Sequence, residues 1–286
     1  ASLALWLALK CAGATLAMIG LVIALTAFDL GILHKEDKEM GIAESLKLSA
    51  FYITIALLFG VWVWMEKGAD LGMKYYTGFF IEKALSIDNV FVISLIFTYF
   101  AIPRMYQYRA LLWGIIAVIV LRGIMIGVGA AVVQEWYWVL YLFAAFLIAT
   151  GVKMLFAGDS EMDIANNPVV TFMNRHFRVT KDLHGQRFIV KVPDEKTGKL
   201  VTAMTPLLLA LIVINLADLV FAVDSVPAIF AITTDTFIVY TSNIMAILGL
   251  RALYFALAAM VHRFEYLKYA LALVLVFIGL KIFWTD

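Results

Sequence analysis

Four carboxylates, Glu82, Asp88, Asp218 and Asp224, stand inside long apolar runs of this chain. Asn89 follows Asp88, Ser225 follows Asp224, and Asn215 precedes Asp218 by three residues. Lys83, Arg122 and Arg251 are bases in similar surroundings, and Asn243 lies eight residues before Arg251. A charge at the centre of a membrane-spanning helix costs about 2.5–3.5 kcal/mol on insertion scales, so a chain that keeps several has a use for them. Carboxylate, amide and hydroxyl oxygens suit the hard cations Mg²⁺, Ca²⁺ and Mn²⁺. Zn²⁺ and Cu⁺ are disfavoured, because Cys11 is the one cysteine and His34, His176, His184 and His262 fall in expected loops or at helix ends. The scattered methionines read as packing rather than as a soft-metal path.

Spacing sets a limit on how these groups act together. Glu82 and Asp88 are six residues apart, as are Asp218 and Asp224. On an ideal helix that is about 120° of rotation and about 9 Å of rise, so one ion cannot touch both members of a pair on a straight helix. Glu82, Ser86 and Asn89 share one helical face, and Asn215, Asp218 and Ser225 share another. Either each helix lends one face to a shared site, or the helices are broken there. Pro227 points to a break or kink in the second helix, whose freed carbonyls would join the site. Arg122 and Arg251 are each expected to neutralise one carboxylate, leaving a site that a divalent ion can leave as well as enter. Lys83 is a further charge-balancing candidate. Asn243 either faces the same cavity or makes a helix–helix hydrogen bond. A carboxylate emptied of metal in a low dielectric gains from protonation, which makes proton-for-metal exchange the natural coupling. The competing reading is a set of salt bridges that only holds a bundle together.

The elements that must position these residues are membrane helices. The chain has 286 residues, 64% of them hydrophobic and 15% charged, where soluble domains have about 45–50% apolar and about 25% charged residues. Its mean hydropathy is +0.95. This is the composition of an all-α integral membrane protein. The net charge of +1 says nothing about nucleic acid, but there is no basic run of the kind a nucleic-acid site needs, so no such partner is expected. One cysteine excludes an intrachain disulfide. No His-Glu-x-x-His or Gly-x-Gly-Asp motif is present, so neither an enzyme nor a resident cofactor is expected.

A bilayer crossing takes about 20 apolar residues. Eight runs qualify: 3–28, 47–65, 75–100, 108–133, 136–156, 204–231, 237–260 and 266–284. The first is too long for a signal-peptide core and lacks a basic start. Lys35, Lys38, Lys47, Arg104, Arg109, the basic loop 157–203, Arg263 and Lys268 fall on one side, against Lys67 and Lys74 on the other. The positive-inside rule then puts the N-terminus outside and loop 157–203 in the cytoplasm. Within that loop, Asn166-Asn167-Pro168 starts a short amphipathic helix through His176, and Arg187–Val192 and Leu200–Ala203 flank a hairpin turn over Pro193–Gly198. Loop 157–203 reads as a connector with some regulatory contact.

The organisation repeats. Tyr141, Gly151 and Lys153 match Tyr269, Gly279 and Lys281 at an offset of 128, Leu121-Arg122 matches Leu250-Arg251 at 129, and Glu82/Asp88 matches Asp218/Asp224 at 136. Both triplets run acidic helix, arginine helix, Gly-x-Lys helix. An odd number of crossings per unit makes the second enter from the opposite side, which is the inverted repeat of a transporter with its site near the midplane. The expected units are 1–74 with two helices, 75–156 as the first repeat, 157–203 as the loop and 204–286 as the second repeat.

Glu82-Lys83-Ala84-Leu85-Ser86-Ile87-Asp88-Asn89-Val90-Phe91 and Phe221-Ala222-Val223-Asp224-Ser225-Val226-Pro227-Ala228-Ile229-Phe230-Ala231 resemble the paired motifs of the TerC family of integral membrane proteins, including its Alx manganese exporter branch. Thr241-Ser242-Asn243, Leu250 to Tyr254 and Gly151-Val152-Lys153 support the resemblance. It covers residues 75–286 and extends over the first two helices. It implies a bacterial inner-membrane protein linked to Mn²⁺ efflux, with tellurium-resistance and calcium-related roles in other branches. By motif position it carries over Glu82, Asp88, Asn89, Asp218, Asp224 and Ser225 as metal-path residues. Many members have an acid where this chain has Asn215, a departure that bears on affinity or selectivity. Family members often have a ninth helix, which fits a trimmed C-terminus here. A homo-oligomer is left open. The readings that stand are a Mn²⁺ exporter, a Ca²⁺ or Mg²⁺ transporter, and a non-transporting assembly factor in the membrane.

Overall fold

Helices that are apolar on all sides belong in lipid or in the middle of a bundle, and this chain is made largely of them. The computed structural model describes residues 20–25, 27, 41–156, 168–193, 199–257 and 267–285. Residues 20–25 are helical, and then come α1 (Ile42–Lys67), α2 (Ala69–Tyr99), α3 (Arg104–Glu135) and α4 (Val139–Phe156). A small extramembranous piece follows, with α5 (Pro168–His176) and an antiparallel hairpin of β1 (Ile189–Pro193) and β2 (Leu200–Met204). The chain then returns through α6 (Pro206–Phe230), α7 (Thr236–Leu248), α8 (Leu250–Leu257) and α9 (Leu267–Thr285).

Among the described residues, five stretches are long and apolar enough to cross a membrane: α1, α3, α4, α6 and the α7–α8 stretch Thr236–Leu257. Of the eight expected spans, 3–28 lies largely outside the described residues. The charges of α2 keep it from qualifying, although 31 residues at 1.5 Å each are ample for a crossing. In α9 the apolar stretch is the shorter Ala272–Ile282. The stretch Thr236–Leu257 has 78% of its most apolar window buried, against 28–39% in the other four, so it is the central element. Around it α2, α3, α4 and α9 turn Phe80, Trp113, Val128, Leu142 and Phe277 outward, which suits side chains that meet lipid.

Local sequence explains the ends and breaks. Thr205 caps α6, accepting from the Leu208 amide while its hydroxyl donates to the Arg187 carbonyl, and Pro206 occupies the first turn, where a missing N–H costs nothing. Asp235 caps α7 by accepting from the amides of Phe237 and Ile238 at 2.9 and 3.1 Å. The run expected as one helix over 237–260 is divided at Gly249 into α7 and α8. The expected break at Pro227 does not occur: α6 runs on through Phe230. Pro227 lies in the last turn of α6, where one lost N–H is tolerated.

α2 and α3 both pack on α6 and α7, α1 packs on α2 and α8, and α4 packs on α9. The α4–α9 contact is backbone to backbone. A Cβ on Gly151 would lie 2.7 Å from the Ala272 carbonyl oxygen, and one on Gly279 would lie 2.8 Å from the Ala144 carbonyl oxygen. Gly151 and Gly279 are the matched glycines of the sequence repeat, and each is small because the other helix's backbone is there.

Gly151→Val and Gly279→Val should each cost about 1–3 kcal/mol through overpacking. The thermal midpoint of the detergent-solubilised protein should fall, whereas Gly127→Val, with nothing within 4 Å of its new Cβ, should leave it in place. Equal behaviour of all three would contradict the close α4–α9 approach.

Candidate functional site

Arg122 projects from the middle of α3 into a pocket walled by α2, α6 and α7. It holds Asp218 of α6 with a two-pronged grip, Nε to Oδ2 at 3.0 Å and Nη2 to Oδ1 at 2.9 Å. Its Nη1 reaches Glu82 of α2. The same Nη1 lies 3.3 Å from both Ser225 Oγ and Asn243 Oδ1. Asn243 of α7 returns a hydrogen bond, Nδ2 to Glu82 Oε2 at 3.1 Å, and Asn89 Nδ2 donates to Asp218 Oδ1 at 3.1 Å. Glu82 is 0% exposed, Arg122 1% and Asp218 7%, so these charges are out of solvent. The planar fork of arginine can satisfy two carboxylates at once, which an ammonium does less well.

One cation against two carboxylates leaves the cluster with a formal charge of −1. Asn89 is 4% exposed and its Oδ1 accepts nothing. Beside it lies a cavity of about 20 Å³, lined by Asn89, Asp218 and Arg251 among apolar side chains of α2, α3, α6 and α8. That is room for about one water-sized occupant. An orphaned acceptor of this kind is costly unless something meets it.

The sequence-expected residues divide into two sets. Glu82, Asn89, Asp218, Ser225, Asn243 and Arg122 converge, and the rest do not. The cause is the six-residue spacing on helices that stay unbroken, which turns Asp88 and Asp224 away. Asp224 faces α4, accepting from Thr150 Oγ1 at 3.4 Å. Asp88 shares a stripe of α2 with Ile81 and Leu85, which pack against Leu147, Leu275 and Ile278 of α4 and α9. Asn215 donates back to its own helix, Nδ2 to the Leu211 carbonyl at 2.8 Å. The expected sharing of carboxylates between two arginines is replaced by one: Arg122 takes both, while Arg251 is stacked over Tyr108, its guanidinium carbon 4.0 Å from the ring centroid.

Lys83 does something the sequence does not reveal. Its ammonium donates to the Ala246 carbonyl at 3.1 Å, near the C-terminal end of α7, where carbonyls lack helix partners and the dipole favours a cation. Gly249 makes space for it, since a Cβ there would lie 3.1 Å from Nζ. Thr150 is a second residue that sequence reasoning misses. Its one signal is its place directly before Gly151 in the Gly-x-Lys match.

Among the described residues no three His, Cys, Asp or Glu side chains converge. A metal at this cluster would therefore meet two carboxylates, two side-chain amide oxygens and a hydroxyl. Those hard donors fit a divalent cation as cargo, on one condition. Arg122 now occupies the lone pairs that such an ion needs, so it must withdraw first.

Fold and geometry define a polytopic helical membrane protein with a desolvated ion cluster where four of its helices meet. Residues 67–286 match the family described as "Integral membrane protein TerC family", and the chain belongs to it. It is 50% identical over 263 residues to an "Uncharacterized membrane protein" of Rickettsia bellii, covering 92% of this chain and 85% of that one. It is 43% identical over 268 residues to a membrane protein of Myxococcus xanthus, covering 94% and 82%. It is 44% identical over 255 residues to the Escherichia coli protein named "Putative membrane-bound redox modulator Alx", covering 86% and 78%. No solved structure matches.

Arg122→Gln should cost about 3–5 kcal/mol, because it strands two buried carboxylates. Adding Glu82→Gln and Asp218→Asn to it should restore much of the loss in a thermal melt. If the single variant melts like the parent protein, the clamp is not what holds this region.

Proposed function

We propose that this chain is a transporter of a divalent metal cation, with Mn²⁺ as the expected cargo, operating by alternating access between two inverted three-helix units. The first unit is α2–α4. The second is α6, the broken helix α7–α8, and α9. The packing supports this reading. The acidic helix of each unit lies on the arginine helix of the other, and the Gly-x-Lys helices α4 and α9 lie on one another. The observation that carries the proposal is the Arg122 cluster. Two desolvated carboxylates from the matched positions of the two units are held by a side chain that can be exchanged for an ion.

Packing alone does not need this arrangement. A bundle gains nothing from an excess buried negative charge, and replacing a buried ion triad by apolar residues is often neutral or stabilising. A cation site needs that excess. It must attract the ion without holding it irreversibly, and Arg122 reduces the charge it meets on return. Mn²⁺, export from the cell and an inner-membrane location with loop 157–203 in the cytoplasm follow family resemblance and loop charge. Proton exchange is the proposed coupling. A relative is named a redox modulator, but the 286 residues contain one cysteine, which cannot cycle as an internal dithiol. The chain is accordingly read as a carrier without enzymatic activity or a resident cofactor.

The test is Mn²⁺ flux in proteoliposomes, followed by quenching of an enclosed dye. The parent protein should move Mn²⁺, and Glu82→Gln/Asp218→Asn should reduce the rate by about tenfold or more, since the cluster then keeps only the positive charge of Arg122 and repels a divalent ion. Collapsing the pH gradient should slow the parent protein. Ca²⁺ or Mg²⁺ flux without Mn²⁺ flux would reassign the cargo. No flux of any of the three, with normal complementation by the double variant in cells, would favour a membrane assembly factor instead.

A further inference from the structure

The Arg122 cluster is roofed. One helical turn, about 6 Å along each axis, outward of Arg122, Ser225 and Asn243 stand Ile126, Ile229 and Val239, all fully buried. Ala130 and Val226 belong to the same apolar layer. Beyond it, at the ends of α2, α6 and α9 that loop charge assigns to the outside, lies a cavity of about 330 Å³. Lys74, Tyr137, Thr233, Thr234 and Asp235 stand in its wall. A divalent ion with six waters fits, since the waters take about 180 Å³ at their share of the liquid volume. Lys74 is paired with Asp70 at 2.7 Å, and with Asp235 the three groups sum to −1, which suits a departing cation. Phe230, at the end of α6, belongs both to the apolar layer and to the cavity wall.

Resting on the transport reading above, we infer that Phe230 is the outer gate of the carrier: the last turn of α6 pivots at Pro227, the ring leaves the apolar layer, and the divalent cation passes from the Arg122 cluster into this outer vestibule. An apolar constriction bars an ion until it widens and takes up water. The layer over the cluster is such a constriction, and Phe230 is its outermost member, with the polar cavity directly beyond.

The backbone is built for such a movement. Pro227 has no N–H to give the Val223 carbonyl, so the last turn of α6 is joined to the rest of the helix by one hydrogen bond fewer. The turn itself is intact, the Ala231 amide donating to the Pro227 carbonyl at 3.0 Å. It can therefore move as one piece. The ring's seat is on α3, the arginine helix. A Cβ on Gly129 would lie 2.9 Å from Phe230 Cε2, so the closed position depends on a residue without a side chain. A movement of α3 that withdraws Arg122 from the carboxylates would also shift this seat, which couples release of the ion to opening above it.

Sided labelling tests the gate without relying on flux. The full chain carrying Cys11→Ser is produced in cells, and spheroplasts are treated from outside with a membrane-impermeant cationic methanethiosulfonate. Thr234→Cys, in the vestibule, should label fast. Val239→Cys, beneath the gate, should label slowly, and adding Phe230→Ala should raise its rate by about tenfold or more, since a buried thiol reacts only in the open fraction. Val213→Cys, on the cytoplasmic side of Asp218, should stay protected in both backgrounds, which separates an opened gate from a loosened bundle. Gly129→Ala, whose Cβ displaces the ring, should accelerate Val239→Cys as well and serves as the measurement if Phe230→Ala does not fold. Fast labelling of Val239→Cys with Phe230 in place, no acceleration in the folded variants, or equal acceleration at Val213→Cys would overturn the inference. The expected labelling in a protein that moves no divalent cation in proteoliposomes would sink the transport reading and keep the gate. Normal Mn²⁺ flux with unchanged labelling would overturn this inference alone.

Discussion

The guanidinium of Arg122 between Glu82 and Asp218 fixes the rest of this structure. Three desolvated charges from three helices must meet within hydrogen-bonding distance, and each is costly to bury unless the others are present. The requirement ties α3 to α2 and α6 at one depth and brings in α7 through Asn243. It also governs what surrounds it. Asn89, Asn243 and Ser225 are the neutral polar groups that complete the cluster, and beyond them the walls turn apolar. A network so fully enclosed specifies a single arrangement, since any slip of one helix leaves a charge without its partner.

The rest of the bundle follows from keeping that cluster dry. α7–α8 is the most enclosed stretch, and it is the one that is divided. The division at Gly249 exposes carbonyls that a membrane cannot satisfy, and Lys83 supplies the donor. The second carboxylate of each acidic helix points elsewhere, Asp224 to Thr150 and Asp88 along the stripe that meets α4 and α9. Each acidic helix therefore presents one carboxylate to the arginine and one toward the pair of helices joined at Gly151 and Gly279. The two chemistries are separated by rotation about the same helices, not by distance along the chain.

Much of this is legible from residue types and spacing. Charges in apolar runs mark the membrane class and the acidic helices, and 100° per residue already separates the face of Glu82 from that of Asp88. The matched glycines anticipate a shared role, which proves to be the close approach of α4 and α9, each glycine facing the other helix's backbone. What stays hidden depends on partners distant in sequence. Whether Arg122 takes one carboxylate or two is decided by the approach of α2 and α6, which no local pattern records. Lys83 looks like a counter-ion for a neighbouring acid because its true partner, the Ala246 carbonyl, exists only once α7 ends there. Pro227 draws attention as the breaker, but a proline in a final turn forfeits little. Gly249 is silent because an isolated glycine in an apolar run has no distinguishing context.

If Arg122 occupies the place of a divalent cation, the parent protein must bind that cation at the same carboxylates. Equilibrium binding of Mn²⁺ to the purified protein tests this most directly, read from the loss of the free-ion signal in electron paramagnetic resonance. Saturable binding by the parent protein should disappear in Glu82→Gln/Asp218→Asn and survive Asp88→Asn/Asp224→Asn with weakened affinity at most. Undiminished binding by the Glu82/Asp218 variant, with loss in the Asp88/Asp224 variant, would contradict it and move the ion to the other faces of α2 and α6.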